Sequence, residues 1–419
     1  MNENTTIHNG LEGIVAAETS LSMVDGTAGE LVIAGFPVAE LAMNATFEET
    51  THLLWYGALP DEEQLTAFRG DLARRRELPP VAYEILRAAA RANADGMDAL
   101  RMAAGTISLR GDSRSTDKSV CATSSLVDSA GSSRKQDQCG TDTLVCAADD
   151  EAARNLLAAF PTIVAAHWRL RNDRQPIAPR PDLGHASNFL YMLTGEPPSH
   201  ERVRGLETYL NTVVDHGLNA STFTARVIAS TGSDLVSAIT GAIGALKGPL
   251  HGGAPGPALD MVFEIGNAER AEEVLRKKIE SGEKLMGFGH RVYKVRDPRA
   301  DVLAVAAERM FTRGGDMALY ELARAVEAVA IRLLEDYKPG RKLQTNVEFY
   351  TALLLHGLDL EVPLFTPTFA ISRVAGWLAH CFEQRRANRI IRPQSVYRGS
   401  RDRRWPGPAQ PAAATVVSP

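Results

Sequence analysis

Two histidines stand in glycine-rich settings, Leu250-His251-Gly252-Gly253-Ala254 and Gly287-Phe288-Gly289-His290-Arg291-Val292-Tyr293-Lys294. Asp297-Pro298-Arg299 follows the second, and Thr345-Asn346-Val347-Glu348-Phe349-Tyr350 lies further on. Two imidazoles, a carboxylate and an arginine suffice to abstract a proton beside a carbonyl and use the carbanion. His251 precedes Ala254-Pro255, and proline favours a helix's first turn. The spacing therefore predicts His251 at or just before a helix N-terminus. There the helix dipole keeps the ring neutral and able to donate to a developing enolate oxygen. The plainer alternative is a tight turn with an incidental histidine. No Gly-Lys-Ser/Thr follows, which argues against a phosphate loop.

His290 heads a run in which His290, Arg291, Lys294, Arg296 and Arg299 crowd ten positions. That is a cationic cradle for an anionic ligand, or else a solvated basic loop with Asp297-Pro298 as a simple turn. Glu348 is the sole charge between Leu343 and Leu355. Desolvation there would raise its pKa toward that of a working base, whereas a surface Glu in a helix's first turn would do nothing. His216 follows an apolar-periodic stretch and precedes Gly217, a helix end that favours a cationic or donating imidazole, or else a plain C-capping histidine. Arg373 falls inside the apolar stretch Phe369 to Leu378, and a buried arginine needs an anion, from protein or ligand. Arg392, in Ile391-Arg392-Pro393, closes another basic cluster.

The elements that must position these groups read as helices. Leu65, Phe68 and Leu72 follow Asp61, a candidate N-cap. Val81 and Ile85 start another helix after Pro79-Pro80. Residues 202–216 place Val203, Leu206, Leu210, Val213 and Val214 on one face, with Gly217 as the stop. Leu319–Leu334 and Phe369–Phe382 are long apolar-periodic helices. Only residues 12–42, with turns at Asp25-Gly26 and Gly35, suggest β structure. The expected class is mainly α. Residues 106–146 break the pattern: 14 of the 38 positions from Thr106 to Thr143 are Ser or Thr. A flexible surface loop is expected there, and a disordered tail over 404–419.

The chain has 419 residues, enough for two domains, with 44% apolar and 23% charged residues. A net charge of −5 argues against nucleic acid. No run is long and apolar enough for a membrane span, and Met1–Thr6 lacks the basic start of a secretory signal. Cys121, Cys139, Cys146 and Cys381 form no CxxC pair, so free thiols, no metal site and a cytoplasmic location are expected.

Taken together these segments resemble the citrate synthase family. The matching blocks are Asp215-His216 with Asn219-Ala220-Ser221-Thr222-Phe223, Lys247 to Ala254, Gly287 to Arg299, Asn346 to Tyr350, Ser372 to Trp377, and Arg392-Pro393. Val24-Asp25-Gly26, Phe47-Glu48-Glu49 and Leu53 to Gly57 also fit. The resemblance covers residues 11–105 and 151–398. It implies a mostly helical homodimer with a large domain (1–252 and 359–403) and an inserted small helical domain (253–358). It implies Glu348, His251 and His290 as catalytic groups for joining acetyl-CoA to oxaloacetate. His216, Arg299, Arg373 and the partner subunit's Arg392 would bind oxaloacetate. Phe288, Gly289, Arg291 and Lys294 would contact CoA. No cofactor beyond the CoA thioester is implied. A 2-methylcitrate synthase using propionyl-CoA, and a non-catalytic CoA-binding relative, are the competing readings. The chain departs from the family at Glu348, where many members have Asp, and at Pro255-Gly256-Pro257, where Asn-Glu is common.

Overall fold

A computed structural model of the chain describes residues 7–11, 13–109, 147–252, 255–290, 292–313 and 317–401. Sixteen α-helices, four short 3-10 helices and one small sheet form the regular structure of the described residues, so the mainly α expectation holds. The sheet is near the N-terminus: β1 (Ser22–Asp25), β2 (Glu30–Ile33) and β3 (Phe36–Pro37) pair antiparallel in sequence order, with Met23 opposite Val32. Asp25 closes the β1–β2 turn by accepting the Thr27 and Ala28 amides on Oδ1 at 2.8 Å each. No helix among the described residues is long and apolar enough to cross a membrane.

The helix Phe365–Arg386 is the axis of the molecule. It is buried along most of its length and on every face, and it buries polar as well as apolar side chains. Two of its polar side chains reach the end of the helix His200–Val213. Ser372 Oγ donates to the Leu210 carbonyl at 2.5 Å and Arg373 Nε to the Val213 carbonyl at 2.7 Å. Those are among the last carbonyls of a helix, which have no partner within it. This capture ends the helix at Val213, three residues short of the predicted stop, and leaves His216 on the loop beyond. Gly376 permits the close approach, because a methyl there would collide with the Val214 carbonyl oxygen and lie 3.2 Å from Asp215 Oδ1.

The hairpin of Ala220–Ser230 and Leu235–Leu246 packs on the axial helix. Asn219 and Asp234 cap its two helices by accepting the Thr222 and Ser237 amides. The helix Pro298–Thr312 starts at Asp297-Pro298-Arg299 and packs on both His200–Val213 and Val347–Gly357. Asp61 caps Glu62–Arg74 through a capping box with Gln64, as its position predicts. The predicted helices 319–334 and 369–382 extend to Met317–Tyr337 and Phe365–Arg386. Residues 106–109 correct the loop expectation: they complete the 3-10 helix Gly105–Leu109, with Thr106 and Ile107 buried. The rest of that stretch (110–146), the 404–419 tail, and Cys121, Cys139 and Cys146 lie outside the described residues; Cys381 is a buried free thiol.

Gly376→Ala tests the close approach. Overpacking of this kind costs about 1–3 kcal/mol. The variant should melt earlier, and its affinity for an anionic ligand at the Asp215-His216 loop should fall, measured by calorimetry.

Candidate active site

Two buried arginines face each other across the helix junctions, and they are compensated differently. Arg299 holds its own carboxylate: Nε donates to Asp297 Oδ1 at 3.0 Å and Nη2 to Oδ2 at 2.8 Å. Asp297 also caps the helix by accepting the Arg299 amide at 3.0 Å. Burial alone raises the Asp297 carboxyl, but the guanidinium and these hydrogen bonds outweigh it and hold the group ionised. Arg373 has no such partner. It is 2% exposed, its Nε serves the Val213 carbonyl, and its guanidinium stacks 4.5 Å from the Phe369 ring centre. Among the described residues no carboxylate lies within salt-bridge distance of it. Burial drives its pKa down to about 10, with Asp215 opposing and Arg299 adding repulsion. An uncompensated buried cation of this kind calls for an anionic ligand.

The two loops between these arginines carry histidines. His290 Nδ1 accepts backbone amides from Val292 at 3.0 Å and Tyr293 at 3.1 Å. Both are donors, so the proton of the neutral ring must sit on Nε2. Burial, then the Arg299 charge, lowers its pKa to about 4, which keeps it neutral. Nε2 lies 3.4 Å from Arg299 Nη2. Two N–H donors at that separation do not bond to each other; one acceptor could serve both. His216 is 5.9 Å from His290 between ring centres, and its Nε2 lies 3.1 Å from the Tyr293 hydroxyl. Burial, followed by Arg299 and Arg373, holds His216 well below its ordinary pKa. The sequence expectation of a cationic ring at a helix end is thus corrected: the helix ends earlier, and burial together with the two arginine charges keeps the ring neutral.

Glu348 lies in the first turn of Val347–Gly357, behind the cap Asn346, whose Oδ1 accepts its amide at 3.0 Å. It is not the surface residue of the plainer reading. Burial, opposed by Arg299 and reinforced by Asp297, raises its pKa to about 7. Its Oε2 is buried without a hydrogen-bond partner. The glycine loop is stitched to this helix start by the backbone. Gly289 donates to Gln344 O at 2.7 Å, Asn346 to Gly287 O at 2.9 Å, and Asn346 Nδ2 to Gly289 O at 2.9 Å. Phe288 stacks on Phe349 with ring centres 5.4 Å apart.

His251 occupies a turn after Leu235–Leu246, its amide donating to Gly248 O at 2.8 Å. The next described helix begins at Pro255, four residues on, so the predicted place just ahead of a helix holds. The neutrality has another origin than the dipole: burial, then Arg373, lowers the pKa to about 4. His251 Nε2 lies 2.8 Å from Ser221 Oγ, which accepts the Trp377 indole N–H at 3.0 Å. Ser221 has one proton, and Asn219 Oδ1 at 2.8 Å competes for it. If Ser221 donates to Nε2, His251 carries its proton on Nδ1, free for a ligand.

The fold therefore gathers His216, His290, Arg299, Glu348 and Arg373 around one centre, with His251 joined to it through the Arg373 field. Arg392 is not among them. It lies exposed on the coil after the axial helix and pairs with nothing among the described residues. Lys294 offers its amide to Gly26 O at 2.8 Å, and Arg291 lies outside the described residues. Sequence reasoning missed Tyr293 and Ser221, which sit inside quoted motifs, and His380. The last lies seven positions after Arg373, on the same helix face, and donates Nε2–H to buried Asp215 at 3.1 Å. Its Nδ1 is occupied by Arg226 Nη1 at 3.1 Å, which fixes that tautomer. Tyr209 also escaped notice: its hydroxyl is buried without a partner, and the charges of Glu348, Arg373 and Arg299 reach it.

A helical scaffold of this form is found among solved structures. The ternary complex of citrate synthase from Thermoplasma acidophilum with carboxymethyl coenzyme A and oxaloacetate matches with a TM-score of 0.80 at 28% identity. That match covers 96% of this chain and 98% of the other. Citrate synthase 2 of Bacillus subtilis is 42% identical over 94% of this chain and 96% of its own length. A 2-methylcitrate synthase of Shewanella oneidensis is 38% identical over 93% of this chain and 94% of its own. The family profile "Citrate synthase, C-terminal domain" matches residues 10–394. The chain belongs to the citrate synthase family.

The raised Glu348 pKa has a measurable sign. A carboxyl shifted upward on folding stabilises the native state below its unfolded pKa, and that contribution is lost as pH rises through about 7. The buried histidines shift downward and gain over an overlapping interval, so the difference between parent and Glu348→Gln is the readout. Relative to the parent, the variant should gain on the order of 2–3 kcal/mol between pH 4.5 and pH 7, by urea midpoints at each pH.

Proposed function

We propose that the protein condenses oxaloacetate with acetyl-CoA and hydrolyses the citryl thioester to citrate and free CoA. One observation carries this reading: a buried carboxylate oxygen of Glu348, without a partner and at a pKa of about 7, beside a cluster of neutral imidazoles and buried guanidinium groups. A thioester α-proton is weakly acidic, so its removal needs a base near neutrality and a donor for the enolate oxygen together. Glu348 takes the methyl proton. His251, with Ser221 donating to its Nε2, presents Nδ1–H to the enol oxygen. His290 presents Nε2–H to the ketone of oxaloacetate, its tautomer held by the Val292 and Tyr293 amides. The carbanion attacks the polarised ketone carbon, and water then cleaves the thioester.

The two oxaloacetate carboxylates are taken by Arg373, Arg299 and His216, and by the partner subunit's Arg392 in a homodimer. The exposed, unpaired position of Arg392 on its own chain supports that assignment. Phe288, Gly289, Arg291 and Lys294 receive CoA. Residues 253–358 form the small domain and close on the remainder, excluding water from the reaction. The CoA thioester is a co-substrate, and no cofactor enters. A second reading, propionyl-CoA in place of acetyl-CoA, is favoured by the likeness to the Shewanella oneidensis 2-methylcitrate synthase. A single methylene in an apolar pocket discriminates only about 10–200-fold, so both thioesters belong in the assay.

Free CoA release, measured with oxaloacetate and each thioester in turn, tests the proposal; release from neither overturns it. Glu348→Gln should lower turnover about 10²–10⁴-fold while oxaloacetate binding changes little. Arg392→Ala and His251→Ala should each be impaired alone. Mixed, they should recover activity in hybrid dimers, where one of the two sites has both residues intact. No recovery after demonstrated subunit exchange would place Arg392 in its own chain's site.

A further inference from the structure

We propose that the tight turn between β1 and β2 is the seat on which the His290 loop rests, and that Gly26 is the positioning residue of that seat. Lys294 N–H donates to the Gly26 carbonyl at 2.8 Å. A methyl at Gly26 would collide with the carbonyl oxygen of Val292 and lie 3.0 Å from Val292 Cγ1. One at Gly29 would lie 2.7 Å from Val295 Cγ2. The two glycines differ in kind. Gly29 has φ of 72°, a conformation that favours glycine by itself. Gly26 is not in the left-handed region, so the turn would accept other residues there, and only the approach of Val292 demands glycine.

That approach is coupled to chemistry. The Val292 peptide packs over Gly26 with its carbonyl, and the Val292 amide is one of the two donors that hold His290 Nδ1. Displacing Val292 therefore displaces the proton arrangement of His290. The other end of the hairpin grips the second histidine loop. Ser22 Oγ donates to Asp215 Oδ2 at 2.5 Å and accepts the Gly217 amide at 2.9 Å, on either side of His216. One hairpin thus sets the spacing between His216 and His290, which are 5.9 Å apart. The inference rests on the reading of this centre as an oxaloacetate site.

Gly26→Ala is the test, with two readouts: kcat/KM for oxaloacetate, and the ¹⁵N chemical shifts of the His290 ring. A loop displaced by about 1 Å should lose about 10²-fold in kcat/KM. The ring should change from a pure Nε2–H form to a mixture of tautomers. A loss of stability that leaves the protein folded would not by itself produce that mixture. A kcat/KM within twofold of the parent, with the tautomer unchanged, overturns the seat. If the parent releases no CoA from either thioester, the functional reading falls, and the ring shifts alone still decide the seat. Should Gly26→Ala fail to fold, Val292→Ala, which trims the Cγ1 that packs over Gly26 and keeps the backbone amides, replaces it. The seat then requires a loss of about threefold or more in kcat/KM, and an unchanged value overturns it.

Discussion

Arg373 carries a full positive charge in the most enclosed helix of the molecule, and no carboxylate among the described residues meets it. Burying a cation without a partner costs several kcal/mol, so the surrounding structure has to bear that cost. It does so with neutral dipoles. The Val213 carbonyl accepts from Nε, the Phe369 ring lies under the guanidinium, and Asp215 acts from a distance. Asp215 itself is committed to His380 and Ser22, so it cannot swing over and quench the charge. The field of Arg373 consequently stays available, and it is felt at His216 and His251, whose rings it helps keep neutral.

Neutral rings matter because a neutral imidazole presents one N–H and one lone pair, and its surroundings choose which points where. The choice at His290 is made by two backbone amides, and at His380 by Arg226. At His251 it rests on one hydroxyl proton of Ser221. The backbone that makes the His290 choice is held from several sides. The β1–β2 turn supports Val292 and Lys294. Farther along, Arg296 donates to Glu327 Oε1 at 2.6 Å, as does Thr345 Oγ, and the Tyr350 hydroxyl donates to Oε2 at 2.5 Å. Glu327 thereby ties the basic loop to the helix that bears Glu348.

Much of this was legible in the sequence because the chemistry sits in short, contiguous motifs. Gly-x-Gly-His, Asp-Pro-Arg and Asn-Val-Glu each combine a backbone device with the group it presents. Asp297 caps its helix and pairs with Arg299 within three residues, and Asn346 caps the turn that holds Glu348. Helical periodicity likewise gave the long elements, and the ends were off where tertiary contacts overrode local signals. The stop after Val213 depends on Ser372 and Arg373, some 160 positions away, and no local pattern encodes it. The same is true of the causes of neutrality. The sequence suggested a helix dipole for His251 and a helix end for His216. Burial and the arginine fields, assembled from distant segments, do that work at both. Tyr293, Ser221, Tyr209 and His380 were unread because a lone hydroxyl or imidazole has no periodicity to announce it.

The raised pKa of Glu348 follows from the same balance. A carboxylate near Arg299 alone would be held well ionised and weakly basic. Asp297 occupies the Nε and Nη2 donors of Arg299 and adds a like charge, so the pull on Glu348 is partly cancelled and desolvation dominates. The ion pair at the start of Pro298–Thr312 therefore has two effects. It keeps Arg299 buried and oriented, and it prevents that arginine from claiming the Glu348 carboxylate. Any change that frees the guanidinium, Asp297→Asn being the smallest, should let Arg299 pair with Glu348. The Glu348 carboxyl would then be held ionised by a salt bridge and its pKa would fall, even though every side chain of the cluster other than Asp297 is unchanged.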